Sequence, residues 1–195
     1  MTPEETLGLL EDLLLAGPPR LGGTRLACVD GPAGSGKSTL ARDLAARLRA
    51  HGSEVVLLAL DDALEGWTGL ETGVRQLLDG VLAPVREGRP GRYRRWDWLA
   101  DGWAEEVEVL VPEVLLVEGC GSAPRAAAEW TNLLVVVETD AETRLARGLA
   151  RDGAALRPQW LAWMEAEARV LAREGVRERA DVLLDGTGRV VGRRR

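Results

Sequence analysis

The stretch GPAGSGKST, Gly31 to Thr39, decides how the rest of the chain is read. It satisfies the pattern G-x-x-x-x-G-K-[ST] through Gly31, Gly36, Lys37 and Ser38. Its flanks agree with the pattern. The apolar run Arg25–Asp30 reads as a short buried strand, and Ser38–Ala50 reads as a helix with Leu40, Leu44 and Leu48 at steps of four. Each residue type has a chemical reason. The glycines let the backbone turn sharply, so that the amides of Ala33, Gly34, Ser35, Gly36, Lys37, Ser38 and Thr39 can face phosphate oxygens. The following helix presents its positive end to the same anion. Lys37 reaches the β- and γ-phosphates as a point charge, and the Ser38 hydroxyl suits Mg²⁺. The motif implies nucleotide binding; what is done with the nucleotide must come from other residues.

Working outward, further apolar runs alternate with helical segments. Glu54–Leu60, Val114–Val117, Asn132–Val137 and Asp181–Leu184 read as strands covered on both faces. Helices are expected over Glu71–Leu82, Ala141–Asp152 and Pro158–Arg179, and before the first strand, where Thr2 and Glu5 form a capping box. Pro84–Arg95 reads as a polar connection, and Trp103–Leu110 as a hairpin arm. Alternation of this kind specifies an α/β fold: a three-layer α/β/α arrangement around a five-stranded parallel sheet. No repeat or linker interrupts the chain, so one domain over 1–195 is expected, with a helical lid near 144–175.

Composition narrows the partners. A net charge of −6 argues against general nucleic-acid binding, which needs clustered cations. The basic end Arg193–Arg195 reads as a solvated, frayed tail. No segment approaches the roughly 20 apolar residues of a membrane span. Met1–Leu15 is acidic and amphipathic, unlike a secretory signal, so a cytoplasmic location is expected. Cys28 and Cys120 lie in apolar runs and read as small core residues. The partner expected is a small-molecule substrate; a homo-oligomer is allowed for. The chain has no Phe and only one Tyr, so its seven Trp carry almost all the aromatic surface.

Ligands of open α/β sheets collect at the carboxyl ends of the strands. Three such ends carry acids here: Asp61-Asp62, Glu118, and Glu138 with Asp140. Phosphoryl transfer needs one acid to take the proton of an attacking hydroxyl and another near the metal. Asp61 or Asp62 suits the first task, the other being a helix cap, and Glu118 suits the second. Asp140 reads as an N-cap. The carboxylate that faces Lys37 is expected from the strand next to the first. Arg144, Arg147 and Arg151 share a helix face. They form either a row of cations for the transferring phosphoryl group or a solvated basic face. The segment Arg92–Trp98 offers Tyr93, Trp96 and Asp97 to a sugar or base; the other reading is a hairpin with aromatic cross-strand pairs. Trp160 and Trp163 read as core.

From about Leu26 to Gly186 these residues resemble the uridine kinase and phosphoribulokinase branch of P-loop kinases. The resemblance rests on four stretches besides the loop: LDDALEGW, VLLVEGCGS at Val114–Ser122, TRLARGLARD at Thr143–Asp152, and Ala180-Asp181 before Val-Leu-Leu-Asp-Gly. It implies a kinase that uses ATP and Mg²⁺, with Asp61 as base on the substrate hydroxyl. Arg147 and Arg151 become lid arginines closing on the phosphates, and a nucleoside such as uridine or cytidine is the leading acceptor. Another sugar-like or small metabolic alcohol, or an ATPase or nucleotide-controlled regulator, are the alternatives. Asp62, Ala63 and Leu64 stand where the branch carries an aromatic pair, and Trp67 is the aromatic nearest to replace it.

Overall fold

The computed structural model describes residues 1–194. Helix α1 (Pro3–Leu15) starts on the expected box: Thr2 Oγ1 accepts from the Glu5 amide at 3.2 Å, and Glu5 Oε2 accepts from the Thr2 amide at 2.8 Å. Strand β1 (Arg25–Asp30) leads through the glycine-rich turn into α2 (Lys37–Ala50), and β2 (Val55–Ala59) follows. A 3₁₀ turn, Leu60–Ala63, carries Asp61 and Asp62, and a second, Gly66–Thr68, carries Trp67. Helix α3 (Leu70–Arg75) runs on through a π-helical segment, Gln76–Leu82, into α4 (Ala83–Arg86). The helical stretch is therefore longer than Glu71–Leu82, and the expected polar connection is largely structured. A hairpin, β3 (Gly91–Asp97) and β4 (Gly102–Val109), comes next. The chain continues with β5 (Val114–Glu118), β6 (Thr131–Glu138), α5 (Ala141–Asp152), α6 (Arg157–Glu174), α7 (Val176–Arg179), β7 (Val182–Asp185) and β8 (Val190–Arg193). The helix expected over Pro158–Arg179 is broken at Gly175, which caps α6 in the left-handed conformation.

The main sheet has the order β2-β5-β1-β6-β7-β8. The first five strands are parallel, as expected; β8 pairs antiparallel with β7 and adds a sixth. Arg193 and Arg194 are thus not a frayed tail. Arg193 pairs with Val182, and the Arg194 amide donates to Asp181 O at 2.9 Å. Arg195 lies outside the described residues. The neighbours of β1 are β5 and β6, so Asp61 reaches the site from the strand beyond β5.

Alternation along the strands builds two cores. Ala27 and Val29 face α1 and α2, where Leu10, Leu14, Leu44 and Leu48 are fully buried. Leu26 and Cys28 face the opposite layer with Leu77, Val81 and Val170. A sheet buried on both faces explains why its strands read as unbroken apolar runs. It also leaves only the carboxyl edge for polar chemistry.

Candidate active site

At that edge lies a cavity of about 1010 Å³. Its floor is Ala33–Thr39, with Asp61, Asp62, Trp67, Glu118, Arg147 and Arg151 in its walls. Most of the residues singled out from sequence therefore meet in one place. Gly31 is not among the lining residues; it forms the turn out of β1.

The loop is held by groups from three directions. Asp30 is fully buried, and its two oxygens accept from the amides of Gly31 (2.6 Å), Gly121 (2.9 Å) and Ala123 (2.9 Å). It ties the end of β1 to the segment after β5. Burial pushes its carboxyl above the usual range, against the pull of these amides. From α6, Glu167 Oε2 accepts from the Ala33 amide at 2.8 Å and from Trp163 Nε1 at 2.9 Å, while Oε1 accepts from Arg144 at 2.6 Å. Arg144 also donates to Ala33 O and Thr139 O, and Arg147 donates to Gly34 O at 3.2 Å. Gly34 is required here. Its φ is +77°, and a Cβ would stand 2.8 Å from Arg144 O.

Lys37 is nearly buried, and its Nζ donates to Pro32 O at 2.9 Å. Ser35 Oγ is buried with no partner among the described residues, which fits a loop that takes a phosphate oxygen. Glu118, at the tip of β5, lines the cavity beside Ser38. Burial, then the charge of Asp61, raise its carboxyl above the ordinary value. One serine hydroxyl and one carboxylate are a fitting donor set for Mg²⁺, which keeps several waters and takes few protein ligands. No group of three or more His, Cys, Asp or Glu able to hold a metal occurs among the described residues, so a metal here relies on the nucleotide as well.

Asp61 is exposed to the cavity, and Asp62 is half-buried, with its carboxyl raised by burial and by its neighbour's charge. Two clamps fix their turn. Trp98 Nε1 donates to Asp61 O at 3.1 Å. Gln76, on the π-helical segment, donates to Ala63 O at 2.9 Å and accepts from the Arg94 amide at 2.7 Å. Arg151 is paired with Asp152 through two bonds of 2.7 and 3.0 Å and sits over Trp160.

Trp67 meets three other indoles edge-to-face: Trp98 at 5.9 Å, Trp160 at 5.8 Å and Trp163 at 6.3 Å. Trp160 and Trp163 are buried, as read from sequence, and they also face the cavity.

Tyr93, Trp96 and Asp97 do not line the cavity, which corrects the substrate contacts expected of them. Tyr93 is buried in the core, where desolvation pushes its phenol up to about 12. Trp96 pairs across the hairpin with Trp103, edge-to-face at 5.1 Å. Asp97 caps the hairpin turn, accepting from the amides of Leu99 and Ala100. Arg92 and Arg95 are paired with glutamates of β4. Trp98 and Leu99, at the hairpin tip, line the cavity instead.

Sequence reasoning missed Asp30, Glu167 and the contribution of α1, whose Pro3, Thr6 and Leu7 line the far end of the cavity with the turn Asp185–Gly188. A signal existed for Asp30, an acid at a strand end like those that were singled out.

The sequence matches no family profile and no curated protein. Among solved structures, the chain is similar to a possible uridine kinase from Bacillus stearothermophilus, at 20% identity over 95% of this chain and 100% of that one, with a TM-score of 0.69. It is also similar to a candidate fructose transport system kinase from Silicibacter sp. TM1040 (22% identity, 89% and 95% of the two chains, TM-score 0.62). A third is D-glycerate 3-kinase from Cryptococcus neoformans var. grubii (14% identity, 97% of each chain, TM-score 0.59). The chain has the three-layer α/β/α fold of the P-loop kinases, with a mostly parallel central sheet.

Proposed function

We propose that the chain is an ATP-dependent kinase that phosphorylates a small hydroxyl-bearing molecule. The observation that carries this reading is the convergence on one cavity of the loop residues Ala33–Thr39, the lid arginine Arg147, and two strand-end acids of different surroundings, Asp61 and Glu118. A simple nucleotide holder needs the loop but not the acids.

The Ala33–Thr39 amides and Lys37 hold the β- and γ-phosphates; Arg147 and Arg151, on the lid over 144–175, neutralise charge on the group in transfer. Ser38 and Glu118 are the residues that would hold Mg²⁺, which neutralises phosphate charge when bound. Asp61 accepts the acceptor's hydroxyl proton as its oxygen bonds to the γ-phosphorus. The bond from that phosphorus to the β–γ bridging oxygen breaks, and ADP leaves. Asp62 is the reserve candidate for the same task. The nucleotide base extends toward α1 and the Asp185–Gly188 turn. Resemblance alone would make the acceptor a nucleoside such as uridine; the chemistry of the acceptor end decides the class.

The test is a pair of variants assayed by ADP release and nucleotide titration. Lys37→Ala abolishes transfer. Asp61→Asn keeps ATP affinity and lowers the rate by about a hundredfold or more, the scale of a general-base contribution. Full activity in Asp61→Asn moves the base to Asp62. ATP turnover unchanged by every acceptor offered points to an ATPase.

A further inference from the structure

The acceptor end of the cavity has a chemical character of its own. Its walls are Trp67, Trp98, Trp160 and Trp163, with Leu64 and Leu156 beside them. Three of the four indoles use their N–H within the protein: Trp98 on Asp61 O, Trp160 on Asp152 and Trp163 on Glu167. They therefore offer a ligand only ring faces and edges. Among the described residues, no amide, hydroxyl or imidazole side chain beyond the loop lines this end; the hydroxyls of Thr6 and Thr187 belong to α1 and the β7–β8 turn. What remains is acidic. Asp61, Asp62 and Glu118 carry no neutralising partner dedicated to an acceptor. Arg151 is held by Asp152, and Arg147 is directed at the loop.

Resting on the kinase reading above, we propose that the acceptor is an uncharged or cationic alcohol whose body is an aromatic ring or comparable apolar group, with Trp67 as its principal contact, and not a sugar, a nucleoside or a hydroxy acid. A polyol would bring more hydroxyls than the Asp61 and Asp62 carboxylates and the Trp67 N–H can pair, at about 1–3 kcal/mol for each one left unmet. A nucleoside would stack its base but leave the base edge unpaired. A carboxylate or phosphate on the acceptor would face three acids. A ring instead gains about 0.5–1.5 kcal/mol from each edge-to-face or offset contact, beyond its buried area. It would also cover the rim, where Trp98 is 41% exposed and Leu99 fully so.

The experiment follows ADP release by the full chain with saturating ATP and Mg²⁺ against two sets of acceptors. One set is uridine, cytidine, D-fructose and D-glycerate; the other is benzyl alcohol, 2-phenylethanol and tryptophol. Turnover of the aryl alcohols with kcat/KM at least about tenfold above the first set is the expected result. In that case Trp67→Ala raises KM for the best aryl alcohol about tenfold and Trp67→Phe restores it, the size expected for loss of apolar contact in a pocket. Equal or better turnover of the sugars, nucleosides or glycerate overturns the proposal and leaves the kinase reading standing. Binding of a non-hydrolysable ATP analogue with turnover of neither set overturns the kinase reading, and the proposal with it.

Discussion

Glu118 is 7% exposed, yet it lies beside Ser38 in the position that suits a metal ligand. Its carboxyl titrates above its ordinary 4.5 because burial, and then the charge of Asp61, disfavour ionisation. A raised folded-state value means that the folded protein keeps a proton which the unfolded chain releases. Stability from this residue is thus full at acid pH and is lost as pH rises through the folded value. Glu118→Gln removes that loss. Thermal melts of the ligand-free protein should show the variant melting about 2–4 °C higher near neutral pH, the shift that ~1 kcal/mol gives in a chain of this size. The gain should vanish at acid pH, where Glu118 is protonated. In the unsubstituted protein, Mg²⁺ dependence of ATP turnover should steepen as pH falls toward the raised value, since the metal needs the carboxylate. A melting gain that persists at acid pH would show that the charge of Glu118 is not what costs stability.

Helices α5 and α6 cross where a Cβ on Gly148 would stand 2.2 Å from the ring of Trp160. Only glycine lets the Trp160 ring approach α5 this closely, beneath Arg151. Gly148→Ala should cost about 1–3 kcal/mol, the usual penalty of overfilling a packed contact. The displaced helix should loosen the hold of Arg147 on Gly34, so KM for ATP rises while Trp fluorescence shifts toward that of exposed indole. A variant with the same melting temperature and KM would show that the crossing adapts freely. Elements of this sort also mark where sequence reading works. The loop, the parallel strands and the acids at their tips were legible, because motif, alternation and strand ends are local signals. A hairpin with aromatic cross-strand pairs was one of the two readings of Arg92–Trp98 and is present, but which of its residues face the cavity was not legible. Pairing along β3 and β4 shifts register between Arg94 and Trp96, so the two-residue alternation that would assign faces breaks there. Tyr93 and Trp96 turn inward and Trp98 takes the cavity. Glu167 escaped for a different reason: its meaning lies in Ala33, 134 residues away, and no local pattern announces that contact.

Across the molecule, the cavity at the sheet's carboxyl edge is walled by segments outside the motif: α5, α6 and the hairpin tip beside Asp61, and α1 with the β7–β8 turn. That turn is built by Asp185, whose Oδ1 accepts from the amides of Thr187 (2.9 Å) and Arg189 (3.1 Å) and whose own amide donates to Arg189 O at 2.9 Å. It is anchored beyond by β8, whose Gly192 and Val190 pair with Leu183 and Leu184. The last strand, whose final residue Arg193 begins the stretch read from sequence as a frayed tail, therefore anchors the Asp185–Gly188 turn. A chain stopped after Gly188 loses the β8 ladder and exposes the outer edge of β7. It should melt at a lower temperature and associate more readily, since an uncovered strand edge is a template for pairing. Its KM for ATP should rise about fivefold, the effect of ~1 kcal/mol. The rate at saturating ATP should change little, because Lys37, Asp61 and Glu118 stand on β1, β2, β5 and the segments that follow them, which the truncation leaves paired. Nucleotide titration beside the melt separates the two effects: an unchanged KM in a less stable protein would mean that β8 guards the sheet edge alone and the Asp185–Gly188 turn holds its shape without it.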